Sequence, residues 1–156
     1  MRKRLITVSQ NHREPDQKWL DLDKIATIEL TSEATAYPIE EALLPGGDSG
    51  WRADSPGEQV IRIVFDHPQS ISRIWLSFKE PDIERTQEFV LRWSSDHGKT
   101  YREIVRQQWN FSRSGAIREV EDYRVNLTDV TTIELHIVPS TEGGDAHASL
   151  SQLRLA

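Results

Sequence analysis

The chain reads as a single all-β domain of the two-layered sandwich type. Three observations carry that reading. Apolar residues alternate with period two in short runs, glycine- and proline-rich turns cut those runs, and no stretch keeps a long helical period. The 156 residues are enough for one domain with a real core. Hydrophobic residues make up 37% and charged residues 28%, too apolar a mixture for a disordered chain.

The strands can be marked in order. Residues 25–30 (IATIEL) put Ala26, Ile28 and Leu30 on one face. Residues 60–66 group Ile61, Ile63 and Phe65, and residues 71–78 group Ile74, Leu76 and Phe78. Residues 88–95 align Phe89, Leu91 and Trp93, and 102–108 form a weaker run. Tyr123, Val125 and Leu127 mark 123–127, while Ile133, Leu135 and Ile137 mark 132–138. In the final run, ASLSQLRL, Leu150 has the opposite parity to Leu153 and Leu155, which predicts a bulge between them. Pro38 can open a helical turn over 38–44 that Pro45, Gly46 and Gly47 end. Turn chemistry recurs at Pro56-Gly57, Asp66-His67-Pro68, Asp96-His97-Gly98 and Glu142-Gly143-Gly144-Asp145. The first 24 residues are polar and mixed. They read as an extension that Trp19, in KWLDLD, pins to a sandwich spanning 25–156.

Composition narrows the function classes. The absence of cysteine excludes disulfides and thiolate metal sites. A net charge of −6 and a pI near 5.4 argue against nucleic acid, whose binders usually show a basic face. The basic cluster Arg2, Lys3, Arg4 reads as a solvated chain start. No apolar run approaches the ~20 residues that span a bilayer, and none after MRKR suits a secretory signal, so a cytoplasmic location and no membrane partner are expected. The triplets Asn110-Phe111-Ser112 and Asn126-Leu127-Thr128 carry no meaning without such a signal.

Catalytic constellations are weak, and no enzyme activity is expected. The five histidines lack metal-binding spacing, and Asp145-x-His147 supplies only two ligands. Gly98-Lys99-Thr100 ends like a phosphate loop, but Trp93 stands where that loop needs glycine. There is no GxSxG element, and the paired carboxylates (Glu40 with Glu41, Glu119 with Glu121 and Asp122) read as solvated surface.

The hairpin at Asp96-His97-Gly98 predicts a binding end. Counting back from the turn sets Gln87 near Gln107 or Gln108, and Arg85 near Trp109 or Asn110. Loop 79–88 and segment 109–118 then meet at the far end of the sandwich. Arg85, Gln87, Trp109, Asn110, Phe111 and Arg118 collect there, with Trp51 and Arg52 as further candidates. Flat rings stack on sugar faces or peptides, and planar donors fix orientation. Trp109 is the best stacking candidate and Trp93 a core residue. Trp51 leans to packing, and Trp75, on the face of Arg73 and Ser77, is either an exposed binding ring or covered by the N-terminal segment.

Three segments resemble the discoidin, or coagulation-factor C-type, superfamily with the galactose-binding-domain-like fold. They are GWRADSPGEQVIRIVFDHPQSISRIWLSF, FVLRWSSDHGKTYREI and VTTIELHIVPSTEGGDAHASLSQLRLA. The resemblance implies an antiparallel jelly-roll β-sandwich of about eight core strands. It implies non-catalytic binding through loops at one end, often of sugars, otherwise of lipids, proteins or DNA-repair partners. Such domains often hold calcium with an Asp-Gly turn and a last-strand Glu. Here the turn is Pro45-Gly46-Gly47-Asp48 and Gln152 stands in the Glu position, which leaves at most a weak calcium site at Asp48 and no expected cofactor. The expected function is a module for carbohydrate or another small polar ligand. The alternative is an intracellular protein-interaction module of the same fold. A concave pocket with one ring and convergent polar groups would mark the first, and a flatter apolar patch the second.

Overall fold

A computed structural model describes residues 1–4 and 14–156. The stretch 5–13 of the N-terminal extension, with His12, lies outside the described residues. The elements run α1 Leu22–Ile25, β1 Ala26–Leu30, α2 Glu40–Leu43, β2 Trp51–Pro56, β3 Gln59–Lys79, β4 Arg85–Ser94, β5 Arg102–Phe111, β6 Arg118–Val138, β7 His147–Leu150 and β8 Gln152–Leu155. No helix among the described residues is long and apolar enough to cross a membrane.

Two pairs of expected strands are halves of longer ones. Residues 60–66 and 71–78 are both in β3, and 123–127 and 132–138 are both in β6. Each strand has 21 residues, and their pairing slips between Val64 and Arg73. Pro68 lies in that interval and has no N–H to give to the ladder. Asp129 on β6 adopts φ 55, a left-handed conformation that Asp tolerates better than most residues. The turn chemistry at Asp66-His67-Pro68 therefore bends a strand rather than ending it.

All pairings are antiparallel. The main sheet runs β1-β3-β6-β4-β5, with β8 on the second half of β3, and β2 pairs with β7. The first half of β3 buries Ile61, Ile63 and Phe65, the alternation read from sequence. Its second half, Arg73 to Phe78, is buried on both faces. Phe78 reaches Phe89 on β4, with ring centroids 5.2 Å apart. Trp51, Ala53, Leu150, Leu153 and Leu155 belong to the same core. The parity break before Leu153 is where the chain leaves its pairing with β2 and takes up pairing with β3.

The second face of β3 is covered. Trp75 is buried between Arg73 and Ser77 and stands across from Arg154. The N-terminal segment runs along these residues. Trp19 stacks on the Arg73 guanidinium at 5.4 Å, Gln17 accepts from Arg73, Glu14 pairs with Arg154 at 3.0 Å, and Leu20 N–H donates to Leu155 O. Of the two sequence readings of Trp75, the structure selects the covered one.

The β4–β5 turn is held by Asp96. Its carboxylate accepts from Ser94 Oγ at 2.6 Å, Thr100 N at 2.9 Å and Thr100 Oγ1 at 2.6 Å. These donors, Ser94 first, hold its carboxyl well below the usual carboxylate range. His97 and Gly98 both take positive φ there.

Candidate functional site

The far end of the β4–β5 hairpin does bring loop 79–84 to segment 111–118. Glu80 N–H donates to Ile117 O at 2.7 Å, and Arg113 Nε donates to Asp82 O at 2.7 Å. The register differs from the one counted from the turn. Arg85 faces Phe111 and Gln87 faces Trp109. Pairing shifts between Leu91 and Arg92, where Ile104 is the extra residue on β5, so every partner beyond it moves along.

The side chains at this end are also placed differently. Arg85, Gln87 and Phe111 lie within strands, not on loops, and all three are buried. The cause is the alternation that makes Phe89 and Leu91 core residues, since Gln87 and Arg85 share their parity. Arg85 donates from Nε to Glu80 at 2.8 Å and from Nη1 to Pro139 O at 2.5 Å and Gln87 Oε1 at 3.3 Å, and it lies 4.8 Å over the Phe111 ring. Gln87 Nε2 donates to Glu119 Oε1 at 3.2 Å. Glu119 is fully buried, and desolvation, then Glu121, pushes its pKa up to about 8 against the opposing pull of Gln87 and Arg85. Burial and the same two carboxylates also raise the Tyr123 phenol. These groups form an internal polar brace that fixes Glu80, and with it the loop after β3.

Trp109 is half-buried and packs against the core, and its Nε1 has no partner among the described residues. Asn110 is exposed and accepts from Thr86 Oγ1 at 2.7 Å. Arg118 is half-buried and stands directly across from Lys79. Trp51 is core, its Nε1 donating to Ser32 O at 3.0 Å, whereas Arg52 is exposed beside it.

Next to the braced loop is a cleft of about 190 Å³. It is lined by Tyr37, Asp48, Arg52, Lys79, Ser149 and Ser151, with Pro81 at its edge and Trp51 and Leu150 in its floor. Each wall has a local cause. Ala34 N–H donates to Arg52 O and Arg52 N–H to Tyr37 O, so the Arg52 guanidinium rests 5.2 Å over the Tyr37 ring. Arg154 donates to Ala42 O at 2.8 Å and Leu44 O at 3.1 Å, holding the exit of α2. From there the chain turns sharply. A Cβ on Gly47 would collide with the Glu41 carbonyl, and one on Gly50 would lie 2.7 Å from Leu150 O. Both glycines are therefore needed to set Asp48 and Ser49 on the cleft. Lys79 and Pro81 flank Glu80, the residue that Arg85 holds from inside.

The cleft thus offers a ring, two cations, a carboxylate and hydroxyls. The sequence reading found only Arg52 and Trp51 among its lining as ligand candidates, and it considered Asp48 for calcium. It missed Tyr37, Lys79, Ser149 and Ser151. A larger cavity of about 350 Å³ is walled by Leu22, Ala26, Ile28, Leu30, Ile39 and Leu43 together with the carboxylates of Asp23, Glu33 and Glu40, and no aromatic ring lines it. Asp48 is exposed, with its N–H bonded to Glu41 Oε2. Among the described residues no three His, Asp or Glu side chains converge as a metal site would need.

No protein-family model matches the chain, and no curated protein matches it in sequence. Solved structures match it in fold. One is a pectin-binding carbohydrate-binding module, at 19% identity and TM-score 0.59 over 85% of this chain and 90% of that one. Another is the CBM32 of AlyQ in complex with 4,5-unsaturated mannuronic acid, at 15% identity and TM-score 0.62 over 85% and 95%. A third is CpGH89CBM32-5 from Clostridium perfringens, in complex with GalNAc-β-1,3-galactose, at 18% identity and TM-score 0.63 over 88% and 99%. The chain therefore shares the antiparallel β-sandwich fold of these carbohydrate-binding modules, the fold class that its strand pattern and turns predicted.

Proposed function

We propose that this chain is a non-catalytic carbohydrate-binding module whose site is the cleft between Tyr37, Arg52, Lys79 and Ser149–Ser151. One observation carries the reading: the cleft is concave and combines the Tyr37 ring, over a floor that includes Trp51, with convergent polar groups from four separate segments. At about 190 Å³ it is smaller than the ~300–1,000 Å³ of a drug-sized pocket, which suits one sugar residue of a chain that continues into solvent. The Tyr37 ring, on the side that the Arg52 guanidinium leaves open, takes the apolar face of a sugar, while Asp48, Ser149 and Ser151 exchange hydrogen bonds with its hydroxyls. Arg85, Gln87 and Glu119 serve from beneath by fixing Glu80, the residue that follows Lys79 at the end of β3. Sugars bound by proteins of the same fold add support, as does the order of the three discoidin-like segments.

The protein-interaction alternative has less behind it. Among the described residues the large apolar side chains that stand exposed are Met1, Ile83 and Val120, which are scattered and form no docking face. The test is a glycan array followed by titration calorimetry on the best ligand. Tyr37→Ala is expected to cut affinity about 5-fold or more, since stacking of a nucleic-acid base on an aromatic side chain, the nearest measured case, contributes roughly 1–3 kcal/mol. Unchanged affinity in a folded Tyr37→Ala variant would remove the cleft from consideration.

A further inference from the structure

The charges around the cleft point to the class of sugar, an inference that rests on the binding reading above. The chain carries 25 acidic against 19 basic residues. Many of its strand arginines are matched to carboxylates: Arg62 and Arg92 to Glu134, Arg73 to Asp122, Arg85 to Glu80, and Arg106 to Glu88 and Glu103. Others, such as Arg102 and Arg124, have no ion-pair partner among the described residues, and two more such cations meet at the cleft. Arg52 and Lys79 line it, and neither has an ion-pair partner among the described residues. Arg118 stands directly opposite Lys79 in the β3–β6 ladder and is likewise without one. Like charges at directly opposed positions of a strand pair repel and destabilise it. Asp48 is the one carboxylate in the lining, so the cations outnumber it.

We propose that the cleft selects an anionic glycan, one whose sugar carries a carboxylate or sulfate group. Arg52 presents a planar fork that matches either group in bidentate fashion, and Lys79 adds a point charge. The bound anion also relieves the repulsion between Lys79 and Arg118. Asp48 then faces the hydroxyl side of the sugar, where it accepts hydrogen bonds.

Titration calorimetry with three probes of matched length tests this: oligogalacturonate (carboxylate), κ-carrageenan oligosaccharide (sulfate) and a neutral galacto-oligosaccharide. At least one acidic probe is expected to bind ~10-fold or more tighter than the neutral one, and to weaken as salt rises. Whichever acidic probe binds identifies the group recognised. Arg52→Gln and Lys79→Gln are each expected to lower the acidic probe's affinity several-fold more than the neutral probe's, and an equal loss for both probes would count against the anionic selectivity. Lys79→Arg keeps the charge and should keep the affinity, which separates charge from packing. Neutral and acidic probes binding equally, or Gln variants without effect, would overturn the anionic selectivity while leaving sugar binding in place. Failure of all three probes to bind would overturn both.

Discussion

Replacing Arg85 with alanine tests the internal brace on which the cleft's geometry depends. The guanidinium is 2% exposed and its partner Glu80 11% exposed, so both charges have been taken out of water. Arg85→Ala leaves the Glu80 carboxylate uncompensated, takes the donor from Pro139 O and Gln87 Oε1, and empties the space over Phe111. Breaking one side of a buried pair costs about 3–5 kcal/mol. For a chain of this length that corresponds to a fall in melting temperature of roughly 6–20 °C. The double variant Arg85→Met with Glu80→Leu separates the causes. It removes both charges together, so only Pro139 O and Gln87 remain short of a donor, at about 1–3 kcal/mol. The double variant should therefore melt above the single one and below the parent, read by circular dichroism on heating or by urea titration of tryptophan fluorescence. A single variant that loses less than about 1 kcal/mol would refute the buried-pair reasoning. So would a double variant no more stable than the single one.

Two further predictions concern the elements beside it. Gly47→Ala forces a Cβ into the Glu41 carbonyl, so the loop bearing Asp48 must move. The variant should stay folded but bind glycan several-fold more weakly, and equal affinity would show that the loop does not shape the cleft. Glu119 gives a pH dependence with a definite sign. Its folded pKa, near 8, lies above the ordinary value of 4.5, so its contribution to stability is full below about pH 4.5 and is lost as pH rises through about 8. Within that window the slope from this group is on the order of 1.4 kcal/mol per pH unit. Glu119→Gln, neutral at every pH, should flatten the decline in urea-unfolding free energy between pH 5 and 8, and an unaltered slope would place the titration elsewhere.

The strands were legible because period-two burial is a local property. Ile61, Ile63 and Phe65 on β3, and Ile133, Leu135 and Ile137 on β6, are buried as their spacing requires. The change of partner after Leu150 was visible as a parity break. What escaped the sequence was longer in range. Nothing local distinguishes a turn at Asp66-His67-Pro68 from a bend in a continuous strand, because that depends on whether β6 bends beside it. The register of β4 on β5 needed the extra residue at Ile104, which leaves no compositional trace. Arg85 and Gln87 could have been assigned inward from the parity of Phe89, yet their polarity argued for a rim. Only the far-off Glu80, Pro139 and Glu119 make burying them tolerable. Tyr37, Lys79 and Ser149–Ser151 come from distant segments, and their meeting is a consequence of the pairing of β2 with β7 and of β8 with β3.

The most direct test of the cleft as the binding site is a backbone and side-chain NMR titration with the glycan that binds best in the array. Shift changes confined to Tyr37, Asp48, Arg52, Lys79, Ser149 and Ser151 are the predicted result. Saturable changes centred instead on Trp109 and Asn110, with the cleft signals unmoved, would contradict it.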